Sequence, residues 1–220
     1  KTDYFALYSE NKWGVIDSKG ENIIYPTYQE MPILIDKSKD VFLCIYDVNE
    51  EDGTYKTKAL NRKNEEIFTQ YDQIQVLENI DENDNIWYEK NVLKVMQNGK
   101  YGLIDLNGKK LLDCEYDEIS AMKGIENSLL IRKDGYVGLV NNAGTILIDV
   151  KYSDIKNLGT TYKEGYITTD ENGISGEQSL QAGTYYIKEL KTLIRKGKAM
   201  GMEAEELIYI IRECYKEEKP

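Results

Sequence analysis

The sequence predicts a mainly β protein: repeated antiparallel meanders of three to four strands, propeller-like or an open twisted array, followed by a C-terminal α-helical hairpin. Three observations predict it. The phrase NKWGVIDSKG at 11–20 returns as GKYGLIDLNG at 99–108. Short β-rich runs bounded by Gly, Asn and Asp fill the chain to about residue 157. Near residue 185 the apolar period lengthens from two to 3.6.

Four copies stack in register. They are KWGVIDSKGENIIYPTYQEM (12–31), a degenerate YKTKALNRKNEEIFTQYDQI (55–74), KYGLIDLNGKKLLDCEYDEI (100–119) and GYVGLVNNAGTILIDVKYSDI (135–155). A glycine recurs at Gly14, Gly102 and Gly138, with Lys58 in its place in copy two. Three residues on stands Asp17, Asn61, Asp105 or Asn141, then Gly20, Asn64, Gly108 or Gly144, and finally Tyr28, Tyr71, Tyr116 or Tyr152. The Asp/Asn anchors are 44, 44 and 36 residues apart, the range of propellers and solenoids.

Each position has a physical reason. DSKG, NRKN, DLNG and NNAG have turn chemistry: the leading side chain bonds its own backbone two residues on, and the closing residue tolerates positive φ. Strands are expected before and after each turn, at Gly14–Asp17 and Asn22–Tyr25, or Leu103–Asp105 and Lys110–Asp113. A further strand lies upstream at Tyr4–Tyr8, Val41–Tyr46, Val92–Met96 and Leu129–Arg132. The glycine after the aromatic lets another backbone approach or forms a bulge. Because Asn replaces Asp in two copies, the anchors are expected to build turns rather than a catalytic or calcium-binding ring. The recurring tyrosines are expected to pack between repeats. NEEDG (49–53) and DENDN (81–85) do not complete a twelve-residue calcium loop, so both are expected to be hairpin tips.

These segments resemble the WG-repeat family over residues 4–157. Trp13-Gly14-Val15-Ile16-Asp17 through Gly20, Pro26 and Tyr28 is the fullest copy, and Tyr101-Gly102, Asp105, Gly108 and Tyr116-Asp117 follow the same pattern. The resemblance implies a repeat architecture with no shared catalytic residue.

The C-terminal part has a different grammar. Organisation is expected as a four-repeat domain at 1–167, a Gly/Ser-rich linker at 168–184, and a helical interaction module at 185–220. Apolar residues at helical spacing mark two helices broken at Gly201, and the expected interface is Leu190, Leu193, Ile194, Leu207, Ile208, Ile210 and Ile211. LIRKGKAMGMEAEELIYIIRE (193–213) resembles the dimerisation segment of the Sin anti-repressor and repressor family of Gram-positive bacteria. The matching residues are Leu193, Ile194, Lys198, Gly201, Met202, Glu205, Glu206 and Leu207, with Leu190, Gly197 and Glu203 departing from the pattern. The resemblance implies a protein–protein module that pairs helix hairpins.

Composition narrows the function. The chain has no histidine, which removes Ser-His-Asp and Cys-His nucleophile systems and histidine-based zinc motifs. Cys44, Cys114 and Cys214 have neither zinc nor Cys-x-x-Cys spacing. No cofactor or metal is expected. A net charge of −11 argues against nucleic acid and anionic membranes. The leading expectation is therefore a non-enzymatic, cytoplasmic bacterial interaction protein. Its partner would be protein, either itself as a homodimer or a helix-hairpin transcriptional regulator. The alternative is a small-ligand or glycan-binding repeat domain at the cell surface, using Trp13, Trp87, Tyr88 and Tyr101. Because the chain starts at Lys1 rather than Met, secretion behind a removed leader stays open.

Overall fold

A computed structural model describes residues 3–36 and 39–178, together with Ile194, Gly201, Met202, Glu206 and Ile208. Five antiparallel meanders follow one another along the chain. The first sheet is β1 (Tyr4–Ser9), β2 (Lys12–Asp17) and β3 (Asn22–Tyr28). The second is β4 (Ile33–Leu34), β5 (Phe42–Asn49), β6 (Thr54–Leu60) and β7 (Glu66–Ile67). The third begins with β8 (Gln73–Gln75), which is followed by an inserted hairpin, β9 (Glu78–Ile80) and β10 (Ile86–Tyr88). It continues through β11 (Leu93–Gln97), β12 (Lys100–Ile104) and β13 (Lys110–Tyr116), in spatial order β13-β12-β11-β8. The fourth is β14 (Glu118–Ala121), β15 (Leu129–Lys133), β16 (Tyr136–Val140) and β17 (Ile146–Tyr152). The fifth is β18 (Asp154–Asn157), β19 (Tyr166–Thr169) and β20 (Ser175–Gln178).

The turn chemistry works as the sequence implies. In Asp17, Asn61, Asp105 and Asn141 the Oδ1 accepts the N–H groups two and four residues on, at 2.8–3.1 Å. The same device closes β9–β10 at Asp81 and β19–β20 at Asp170. Both acidic stretches, 49–53 and 81–85, lie at hairpin tips.

The glycines serve close approach. A Cβ on Gly102 would lie 2.7 Å from the Leu112 carbonyl oxygen and 2.9 Å from the Cys114 nitrogen, and Gly14 and Gly138 meet β3 and β17 as closely. Opposite each glycine the neighbouring strand bulges: two steps along β12, Tyr101 to Leu103, face four along β13, Tyr116 to Leu112. The bulge makes the two motif aromatics cross-strand partners, Trp13 with Tyr28 and Tyr101 with Tyr116. Lys58 explains why copy two differs. Its side chain leaves no room for such a strand, so β7 ends at Ile67 and the chain turns away at Phe68 with φ +62°. The lysine instead places its Nζ 4.9 Å from the Tyr46 ring and 5.6 Å from that of Tyr28.

The second, third and fourth sheets bury residues on both faces, and four clusters fill the gaps between successive sheets. Phe42 and Cys44 pack with Ile24 and Tyr28 of the first sheet, whereas Leu43, between them, packs with Ile74, Leu93 and Val95 of the third. Likewise Leu103 and Tyr116 pack with Ile119 and Ile131, and Val137 and Leu139 pack with Ile155 and Tyr166. This period-two alternation is the stacking force. Among the described residues no hydrophobic cluster joins the first sheet to the fifth. Burial pushes the Cys44 thiol up to about 12, which leaves it an inert packing group at neutral pH.

Two expectations are corrected. Residues 168–178, read as the start of a linker, complete a fifth sheet in which Gly176 faces Thr168 just as Gly138 faces Ile131. Its short strands carry too little periodicity to stand out from turn-rich sequence. The C-terminal helical hairpin is also corrected. All regular elements of the described chain are strands, and no helical element stands among them. Ile194 and Ile208, expected at a helical interface, are exposed at 39% and 49%. Leu190, Leu193, Leu207, Ile210 and Ile211 lie outside the described residues. An apolar period of 3.6 shows where a helix would bury its face, but it does not supply the surface that would cover it.

Candidate functional site

The inserted hairpin breaks the regularity of the array, and surface clefts lie beside it. Asp81 turns the chain between β9 and β10, with the Asn85 side chain and backbone N–H groups holding its carboxyl below the usual range. Beyond β10 the Glu89 N–H donates to the Leu77 carbonyl at 2.8 Å, which draws the acidic side chain inward.

Glu89 is 1% exposed and fully engaged. Its Oε1 accepts from Asn79 Nδ2 at 2.8 Å and Trp87 Nε1 at 3.3 Å. Its Oε2 accepts from the Asn127 N–H at 2.9 Å and Asn142 Nδ2 at 2.8 Å. Asn79, equally buried, also donates to the Met122 carbonyl and accepts the Gly124 N–H at 2.9 Å. Four donors replace the water that a buried carboxylate loses. The network ties the inserted hairpin to the β14–β15 connection and to the turn after β16.

Above this floor run two clefts of about 610 and 550 Å³ that share Lys90, Glu126 and Tyr162. One extends to Leu111, Asn142 and Ala143, the other to Trp87 and Thr161, so together they form a continuous trough. Lys90 and Glu126 pair across it at 2.9 Å, and this bond, with the charge of Glu126, raises the lysine above its ordinary value. Tyr162 is carried by the loop from Leu158 to Gly165. Glu164 orders that loop by accepting the N–H groups of Thr160 and Thr161 at 2.8 Å each, and the Thr161 contact chiefly holds its carboxyl low. Asn142 donates both to Glu89 and to the Lys90 carbonyl, but its Oδ1, shielded from solvent, accepts nothing.

The structure distributes the sequence-predicted aromatics. Trp13 is half-buried in the first sheet, its ring 4.7 Å from that of Tyr8. Tyr101 sits in the third sheet under the Lys94 ammonium at 4.9 Å. Trp87 and Tyr88 are neighbours on β10, and strand alternation sends them to opposite faces. Of the four, Trp87 lines the trough. Sequence reasoning missed Lys90, Glu126, Asn142 and Tyr162, which share no motif and meet only through the fold. Among the described residues no three His, Cys, Asp or Glu side chains gather in a metal-ligating group, and no helix is long and apolar enough to cross a membrane.

Comparison with known proteins agrees with the repeat. Residues 13–32 and 101–136 match the family model of the WG containing repeat, covering the first copy, the third, and the start of the fourth. No curated protein matches the chain. Neither finding supports a Sin-like reading of 193–213.

Proposed function

We propose that this repeat-containing protein is a non-enzymatic scaffold, and that the trough over Glu89 holds an extended segment of a protein partner. The observation that carries the reading is the lining itself. Two aromatics, Trp87 and Tyr162, line one cleft beside the Lys90–Glu126 ion pair, and Asn142 lines the adjoining one. Such a surface grips a polypeptide by side-chain stacking and by polar contacts to the exposed ion pair. The trough is open along its length, which suits a chain passing through rather than a small molecule enclosed. The turn carboxylates support a non-catalytic role, because Asp17, Asp81, Asp105 and Asp170 are committed to their turns.

The test is a peptide selection on the intact chain, followed by titration of selected peptides against Tyr162→Ala and Asn142→Asp variants. A loss of tenfold or more in both supports the trough as the binding site. Equal affinity for both variants would place binding elsewhere. A positive glycan array abolished by Tyr162→Ala would replace the polypeptide with a sugar.

A further inference from the structure

The third sheet departs from its neighbours in one connection. The chain runs from the short strand to the next long one through residues 35–41, 122–128 and 158–165 in the second, fourth and fifth sheets. In the third it runs through 76–92, where the β9–β10 hairpin is inserted. Insertions into a repeat array leave the stacking intact and often mark its binding face. The two faces of this hairpin differ. Register pairs Trp87 with Asn79, and both side chains bond the buried Glu89 carboxylate, which fixes that face to the array. Strand alternation sends Glu78, Ile80, Ile86 and Tyr88 to the other face, as the cross-strand pairs Ile86–Ile80 and Tyr88–Glu78.

That outer face is apolar at its centre and unpacked. None of its side chains joins a hydrophobic cluster of the described residues. Ile86 is 60% exposed, and Ile80 and Tyr88 are half-buried. Tyr88 also differs from other tyrosines of the array. Lysine ammonium groups stand between 4.9 and 6.0 Å from the ring centres of Tyr28, Tyr46, Tyr101, Tyr152 and Tyr162. Among the described residues none stands over Tyr88, whose cross-strand neighbour is the exposed Glu78. Burial, and after it the charge of Glu78, raises the Tyr88 phenol above its ordinary value. Glu82 and Asp84 at the hairpin tip are exposed as well, whereas Asp81 is held in its turn.

We infer that the outer face of the β9–β10 hairpin docks a basic polypeptide segment, with an aliphatic side chain on Ile80 and Ile86 and an arginine or lysine between Tyr88 and Glu78. The two cross-strand pairs stand two residues apart along β10, about 7 Å, which sets the spacing of the apolar and basic groups on the partner. A cation in that corner gains the ring face and a carboxylate together. The aliphatic contact covers apolar surface that the fold leaves in water. The net charge of −11 draws a basic segment in and opposes a second copy, whose own Glu78, Glu82 and Asp84 would meet these. This face lies across the hairpin from Trp87, so it is separate from the trough, and Tyr162 takes no part in it.

The probe is the synthetic peptide Ser-Leu-Ser-Arg-Ser-Leu-Ser-Arg-Ser, titrated into the isotope-labelled intact chain while amide chemical shifts are followed. The expected result is saturable shifts concentrated at residues 78–88. Binding should weaken at least tenfold in Ile86→Ser and in Glu78→Lys and stay unchanged in Tyr162→Ala. Ile86 and Glu78 are both exposed, so these variants should keep the wild-type circular dichroism. Citrulline in place of the peptide arginines, or serine in place of its leucines, should cost tenfold as well. An absence of shifts at 78–88 with millimolar peptide, or wild-type binding by either variant, overturns the inference. Equal binding of the leucine-free peptide overturns it in favour of unspecific charge attraction. Shifts at 78–88 that grow with protein concentration alone overturn it in favour of a second copy.

Discussion

The Asp117 carboxylate accepts the backbone N–H of Asp134 at 2.8 Å, so the corner that ends the third sheet grips the tight hairpin of the fourth. Asp72 grips Asn98 in the same way at 2.8 Å. Both gripped residues have φ +53° and precede a glycine of positive φ, the conformation of a tight hairpin turn. The Tyr-Asp step of the repeat is therefore a staple between corner and hairpin. Lys100, the residue before the motif aromatic, adds an ion pair to Asp117. In Asp117→Ala the Asp134 amide should exchange roughly tenfold faster, while the Asn98 amide, held by Asp72, stays as it was. Equal acceleration at both sites would mean that the staple is not local.

The glycine at the bulge should be far less replaceable than the matching one in the fifth sheet. Gly102→Ala drives a methyl group into backbone atoms of β13 and should cost about 1–3 kcal/mol. A Cβ on Gly176 meets nothing within 4 Å, so Gly176→Ala should stay within about 0.5 kcal/mol of wild type. Urea denaturation of the two variants checks both values.

Glu89→Gln should destabilise the protein by about 3 kcal/mol, because an amide nitrogen would meet two donors where a carboxylate oxygen accepts both. Loss of the floor should also change the emission of Trp87, whose indole N–H donates to the same group. A variant with unchanged stability and fluorescence would show that the four bonds do not bind the hairpin to its neighbours.

Acid should weaken the fold through its turns. The Lys19 N–H chiefly holds the Asp17 carboxyl below its ordinary value, and the N–H groups of Lys109 and Asn107 do the same for Asp105 even though burial works against them. A folded value below the unfolded one gives stability that is complete above about pH 4 and is lost as pH falls through the folded value. Asparagine holds the same turn in copies two and four without titrating. Asp105→Asn should therefore match wild type at pH 7 and lose less stability on acidification, as read from urea midpoints across pH. Parallel pH curves would assign the acid sensitivity to other groups.

Much of this architecture was legible because the repeat is enforced locally. The Asx turn, the glycine and the tyrosine each solve a problem within about 16 residues, so each leaves a mark at a fixed spacing. Copy two announced its own departure through Lys58. The fifth sheet was hidden because its glycine follows Ser175 rather than an aromatic, and its turn lies one hairpin earlier in the meander. The C-terminal helices were read from periodicity, the break at Gly201 and a resemblance, none of which names a surface to receive them.

The sequence by itself determined the unit of construction: where strands turn, which positions admit a close backbone, and which faces are apolar. Only the tertiary structure decided what the units make together. It brought Trp87, Lys90, Glu126, Asn142 and Tyr162 together around adjoining clefts. That outcome depends on contacts between segments tens of residues apart, whose energy comes from burial and hydrogen bonding in a particular packing. No local spacing records them.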